Sequence, residues 1–373
     1  MAGMSVKMAA AVLALASTEA AQAQNAVPFQ PSPLPPGTLR IWGQEPMSGI
    51  VKYWTEGFRK FHPEILIEPH LMGSATAVPG LYSGLADIAL LGRENNVTDD
   101  NGFSRPKGYR FQRFQLMTGS LDVDGKSAAL AVLVNRDSPV SKLTLTQLAE
   151  IAGCDCRSDA SEVRTWGQLG VTGAWAREPV HFYTYDAESG TGLFFLHVVL
   201  NDSRKLAWGR VRDFKDSKRA DGSLHRAAAQ IVDALEKDPY GIAVSNLSYV
   251  SDSVKLVALA AKGDGPFVLP TRETVIAHTY PLARSTYAII DQPPGKPVEP
   301  KVKEFLRYTL SLEGQADVQR DRGYLPLDGG TLAAQMRKLD WRSLEFPRTG
   351  TTRRLEPLRA APFEASRAEV PGG

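Results

Sequence analysis

Val180-His181-Phe182-Tyr183-Thr184-Tyr185-Asp186-Ala187-Glu188-Ser189-Gly190-Thr191-Gly192-Leu193-Phe194-Phe195-Leu196 is the stretch whose reading decides the fold. The β-branched and aromatic residues at 180–185 predict a strand, and the apolar run from Gly192 towards Leu200 predicts a helix. Ser189-Gly190-Thr191 then marks the turn between them. The first N–H groups of a helix have no partner inside it and lie at the positive end of the helix dipole. Two hydroxyls and a glycine at that point suit either an ordinary N-cap or a seat for a phosphate-like oxyanion.

The same arrangement recurs twice. Gly73-Ser74-Ala75-Thr76-Ala77-Val78-Pro79 precedes Leu81, Leu85 and the strand-like Asp87-Ile88-Ala89-Leu90-Leu91. Ser74 or Thr76 can cap that helix, and Pro79 suits a first turn, where its missing N–H costs nothing. Gly43-Gln44-Glu45-Pro46-Met47-Ser48-Gly49 lies between a predicted strand at 38–42 and an amphipathic helix. On that helix Ile50, Trp54, Phe58 and Phe61 share one face. Three helix starts rich in small polar residues can converge on one ligand. The alternation of strands and helices predicts an α/β fold with sheets covered on both faces.

In order and spacing these segments resemble the substrate-binding proteins of phosphate ABC transporters, a type II branch of the periplasmic solute-binding superfamily. The resemblance spans about residues 38–327. It includes Ala129-Leu130-Ala131-Val132-Leu133-Val134, Thr165-Trp166-Gly167, Tyr240-Gly241-Ile242-Ala243, Tyr280-Pro281-Leu282-Ala283-Arg284 and Gly323-Tyr324-Leu325-Pro326-Leu327. It implies two lobes, 38–132 with 288–341 and 133–287, joined by a hinge of two crossing strands near Leu133 and Tyr287. The ligand would lie in the interlobe cleft, bound by Met47, Ser48, Ser74, Thr76, Arg93, Ser189, Gly190 and Thr191. The implied partners are phosphate or another small oxyanion and an ABC permease, with no cofactor, and a monomer is expected.

Three positions depart from the family pattern. Gln44, Glu45 and Pro46 stand where the first loop is usually Gly-Ser-x-Thr-Met, so a hydroxyl and one N–H donor are missing. Tyr185 replaces an arginine four residues before Ser189. Gly92 stands where some relatives place an aspartate. A charged hydrogen bond is worth about 1.5–3 kcal/mol, so loss of the arginine predicts roughly ten- to a hundredfold weaker binding unless Arg93 compensates. Glu45 is the expected acceptor that favours phosphate over sulfate. Two alternatives stay open: a sensor or scaffold of the same fold with altered or lost phosphate binding, and a phosphatase-like enzyme with Ser189 as nucleophile. The second lacks a Gly-x-Ser-x-Gly elbow.

Composition narrows the classes further. The 373 residues are 43% hydrophobic and 23% charged, which is ordinary for a globular chain. A net charge of +2 offers no basic field for nucleic acid. Residues 1–23 read as a secretory signal peptide: Lys7, an apolar run at 8–16, and the small-residue site Ala21-Gln22-Ala23. That run is shorter than the roughly 20 residues a membrane span needs, so a periplasmic protein cleaved after about Ala23 is expected. Residues 24–37 carry Pro28, Pro31, Pro33, Pro35 and Pro36 and predict an extended, unpacked linker. Residues 342–373 predict a mobile tail. Cys154 and Cys156 are the only cysteines. A disulfide between them is expected in an oxidising compartment, with reactive or metal-binding roles as alternatives. The histidines show no metal-ligand spacing, and no metal site is expected.

Overall fold

The computed structural model describes residues 26–154 and 162–340. In chain order the strands among them are β1 (Gly37–Gly43), β2 (Ile65–His70), β3 (Ile88–Leu91), β4 (Gln112–Thr118), β5 (Ala131–Asn135), β6 (Lys142–Thr144), β7 (His181–Tyr185), β8 (Val211–Phe214), β9 (Ser217–Lys218), β10 (Leu224–His225), β11 (Gly241–Ser245), β12 (Val254–Leu256), β13 (Ala258–Ala260) and β14 (Ser285–Ile290). Ten of them form two five-stranded mixed sheets, ordered β2-β1-β3-β14-β4 and β12-β5-β11-β7-β8, and the other four pair as β10-β9 and β13-β6. In the first, β1 runs parallel to β2 and β3, and β14 runs antiparallel to β3 and β4. In the second, β11 and β7 are parallel, β7 and β8 are parallel, and β5 is antiparallel to β11 and β12.

Side-chain patterning explains the layers. β3 and β11 are buried along their whole length, as central strands covered on both faces must be. On one face of the first sheet, Ile50, Trp54 and Phe58 of the helix Ser48–Phe58 pack with Phe305 and Leu306 of the helix Pro300–Thr309. On its other face, Ala77, Val78 and Leu81 of the helix Ser74–Tyr82 meet Ala89, Leu91 and Ile289. The second sheet is sandwiched likewise, by Phe194 and Phe195 of the helix Gly190–Leu200 on one side and by Ile231, Val232 and Leu235 of the helix Ala227–Glu236 on the other. Each large apolar side chain so buried contributes about 1.5–3 kcal/mol, and each sheet thereby has its own core. The α/β, two-lobed expectation holds.

The crossings lie beside the strands expected to carry them. β5 pairs over its length within the second sheet, and β14 pairs over its length within the first. Ser285 to Tyr287 therefore belong with the first sheet. The chain changes sheets in 119–130 and 282–284, which hold each other through Gly119 N–H to Arg284 O at 2.8 Å and Leu130 N–H to Leu282 O at 3.1 Å. Strand backbones already committed to a ladder leave the flanking residues to make the passage.

The proline-rich run also differs from its expectation. Residues 26–36 form no helix or strand, yet Phe29 is buried against Phe58, Phe61 and Tyr308. The Phe29 and Ser32 N–H groups donate to Glu313 and Glu304 at 2.7 and 2.6 Å. An aromatic residue and two carboxylates thus tie residues 26–36 to the first lobe. Pro79 sits in the second turn of its helix, since Ser74 is already its first residue. Phe61 lies beyond the helix that ends at Phe58 and is half-exposed. The expected signal peptide, Cys156 of the expected disulfide, and the tail at 342–373 lie outside the described residues. No helix among the described residues is long and apolar enough to cross a membrane.

Candidate functional site

A cleft of about 610 Å³ opens between the lobes and is lined from both. The second lobe contributes the start of the helix Gly190–Leu200. Ser189 is its N-cap: its Oγ accepts from Gly192 N–H at 2.9 Å and donates to Asp186 O at 2.7 Å. That hydroxyl is occupied, which leaves Gly190 and Thr191 to present the unshared N–H groups of the first turn. The first lobe contributes the helix Ser74–Tyr82, capped by Gly73 at φ 117° and not by Ser74 or Thr76. Only a residue without Cβ adopts that backbone easily. Ser74 Oγ donates to Gln44 Oε1 at 3.1 Å, and Thr76 Oγ1 donates to Gly73 O at 2.8 Å. The two helix starts meet: a Cβ on Gly190 would lie 3.8 Å from Ser74 Oγ.

Arg284 joins them from the second crossing. It is 3% exposed, and its guanidinium donates to Thr191 Oγ1 at 3.1 Å and to Gly92 O at 2.6 Å. Its cation lies 4.9 Å from the centre of the Phe194 ring. Those hydrogen-bond partners are neutral, and Nε is buried with no partner among the described residues. Burial therefore pushes its pKa down to about 10, although the Glu94 charge opposes the shift. A desolvated cation beside two positive helix ends is a setting in which an anion is favoured.

The remaining sequence-predicted residues divide between cleft and scaffold. Tyr185 lines the cleft, and burial raises its phenol well above the ordinary range. Glu45 lines it from an exposed position on the one-turn helix Glu45–Met47. Met47 is buried in the first-lobe core, because it shares the apolar face of Ile50 and Trp54. Ser48 is exposed at the start of its helix and is absent from the cleft lining. Arg93 is buried, pairs with Asp99 at 2.6 Å and is not among the residues lining the cleft. Arg284 is the buried arginine in the cleft lining, a residue named from the sequence only as the end of the segment Tyr280-Pro281-Leu282-Ala283-Arg284.

Gln44, named from the sequence only as a departure in the first loop, also lines the cleft. Its amide is buried and donates to Ser127 Oγ at 2.7 Å while accepting from Ser74. A Cβ on Gly92 would lie 2.0 Å from Gln44 Nε2 and 2.0 Å from Ser127 Oγ, so a side chain at 92 would require the Gln44 and Ser127 side chains to move. The space an aspartate would use is filled by Gln44. No histidine is among the cleft-lining residues, and Ser189 Oγ donates to Asp186 O and accepts from Gly192 N–H. Among the described residues there is no cluster of His, Cys, Asp and Glu able to hold a metal ion.

Comparison with known proteins adds the lineage. Residues 17–313 match the family described as the PBP superfamily domain. The chain is 30% identical over 295 residues to the phosphate-binding protein PstS of Pseudomonas aeruginosa, covering 78% of this chain and 83% of that protein. It is 25% identical over 311 residues to the protein SphX of Synechococcus elongatus, covering 83% of each. Two solved structures share the fold. PstS from Borrelia burgdorferi gives a TM-score of 0.53 at 18% identity, over 78% of this chain and 99% of that one. An ABC-type phosphate transport receptor from Vibrio cholerae gives 0.52 at 21% identity, over 77% and 99%.

Proposed function

Because the chain belongs to the PBP superfamily, and within it to the family of phosphate-binding PstS proteins, we propose that it is an exported solute-binding protein that captures phosphate, or a similar tetrahedral oxyanion, and delivers it to an ABC permease. The observation that carries this reading is Arg284, a buried cation with neutral partners, set where two helix starts from opposite lobes come together. Gly190 and Thr191 supply N–H donors, Ser74 supplies a hydroxyl from the facing lobe, and Arg284 supplies the charge. Ser189 acts one step removed by holding its helix start in shape. The protein works in the periplasm as a monomer after its signal peptide is cleaved near Ala23.

Calorimetry on phosphate-stripped protein tests the reading. Orthophosphate should bind at one site per chain and raise the melting temperature by mass action. Absence of both heat and thermal shift at millimolar orthophosphate, with phosphate esters equally silent, would remove it.

A further inference from the structure

Resting on the reading that this cleft holds orthophosphate, we propose that Glu94, a carboxylate behind the cleft wall, sets the affinity of the site by sharing the charge of Arg284, and holds that affinity down. The Arg284 guanidinium faces two ways. Nη1 donates to Thr191 Oγ1 at 3.1 Å, at a helix start that lines the cleft, and Nη2 donates to Gly92 O at 2.6 Å, in the segment that follows β3. Glu94 lies two residues along that segment and is absent from the cleft lining. The cation thus turns one nitrogen to the ligand and the other to the segment that carries Glu94.

The carboxylate is fixed in place by the sheet. β3 and β14 pair with Leu91 opposite Tyr287, and the Tyr287 hydroxyl donates to Glu94 Oε1 at 2.9 Å. Arg113 holds that ring from the other strand, its guanidinium 4.6 Å from the ring centre and bonded to Asn95 Oδ1 at 2.6 Å. Glu94 Oε2 is buried with no hydrogen-bond partner among the described residues. A carboxylate oxygen shut away from water is poorly screened, so its field reaches further than that of a surface charge.

That field acts on the cation and on the ligand in opposite senses. Burial lowers the Arg284 pKa, and of the charges around the guanidinium Glu94 opposes the lowering most strongly. The same negative charge repels an anion in the cleft. A receptor that hands its ligand on must also release it, and a carboxylate placed here speeds release without occupying any ligand donor.

Orthophosphate, titrated by calorimetry into phosphate-stripped wild type, Glu94→Gln and Glu94→Asp over a pH series, tests this. Glutamine keeps the oxygen that Tyr287 bonds and has no hydrogen bond to lose at Oε2, so the fold should be retained. Glu94→Gln should bind roughly five- to thirtyfold tighter at neutral pH, the scale of one charge–charge interaction inside a protein. Its affinity should also begin to fall at a lower pH than in wild type, because Arg284 has lost the charge that supports its proton. Glu94→Asp keeps the charge and should reverse the gain, to within about twofold of wild type.

The other groups near this pair do not confuse the readout. Tyr185 and Tyr324 face Arg284, and burial raises both phenols, Tyr324 to about 12, so both stay neutral as pH passes about 10. Arg93 also faces Arg284, while Tyr287, Arg113 and His278 surround Glu94 and its hydroxyl partner. These residues, with Lys126, Lys215 and Arg226 of the cleft lining, are common to all three proteins, so the displacement between profiles reports on Arg284. Equal or weaker binding by Glu94→Gln, an alkaline fall that does not move, or a gain shared by Glu94→Asp would overturn the inference while the phosphate reading stands. A wild type that binds no orthophosphate would overturn the reading itself.

Discussion

A buried arginine whose hydrogen-bond partners are neutral is costly, because such partners repay only part of the loss of water around its charge. Arg284 is such a residue, and its cost is recovered when an anion arrives. Arg284→Ala should therefore weaken orthophosphate binding roughly ten- to a hundredfold, the equivalent of one charged hydrogen bond, measured by calorimetry. Arg284→Lys should recover only part of this, since an ammonium cannot reach Thr191 and Gly92 at once as the planar fork does. With its pKa held near about 10, Arg284 stays charged through neutral pH, and affinity should fall as pH rises past about 10. The folded chain holds this proton less tightly than the unfolded chain, so on this group alone stability rises as pH climbs past about 10 while affinity falls. A calorimetric pH series that shows no loss of affinity in that range in wild type would count against Arg284 as the charge partner. Sequence gave no local signal for this residue. It is drawn to Thr191 and Gly92 by the crossing of the chain, a tertiary fact that spacing along 280–290 does not encode.

At the level of elements, much was legible. The apolar face of Ile50, Trp54 and Phe58, the continuous run of β3 and the cap at Ser189 were readable, because each depends on a period or a local hydrogen bond. The crossings were not, since β5 and β14 look alike to a periodicity argument whether they straddle two sheets or lie in one. The pairing of Arg40 and Asp87 shows what fixes such a register. Asp87 accepts from the Arg40 backbone N–H at 2.8 Å and pairs with its guanidinium at 2.9 Å, while Asp87 N–H returns a bond to Arg40 O at 2.9 Å. Burial alone would raise the Asp87 carboxyl, but the Arg40 contacts outweigh it and leave the pKa lowered. Asp87→Asn should cost about 1 kcal/mol in urea unfolding, a modest figure because Arg40 is partly exposed. A carboxyl lowered on folding contributes stability above its ordinary value of 3.8, and the contribution is lost as acid protonates the folded form. The mutant and wild type should therefore converge at low pH, and a gap that persists there would place the effect elsewhere.

The whole molecule is two cores joined by two short crossing segments that hydrogen-bond to one another. Such a joint can absorb rotation while each sheet moves as a body. An anion drawn between Ser74 on one side and Thr191 on the other should favour a closed arrangement. Small-angle scattering on stripped protein should show a smaller radius of gyration with saturating orthophosphate, and superimposable profiles would argue against closure. Residues 26–36 and the helix Gly329–Asp340 both pack on the first lobe, the latter through Leu332 and Leu339. Tethering the protein to a surface through either segment would thus hold one lobe still and leave the other free to swing. A fluorescent reporter at the position of Trp208, 56% exposed on the second lobe, would turn ligand capture into displacement against a fixed frame.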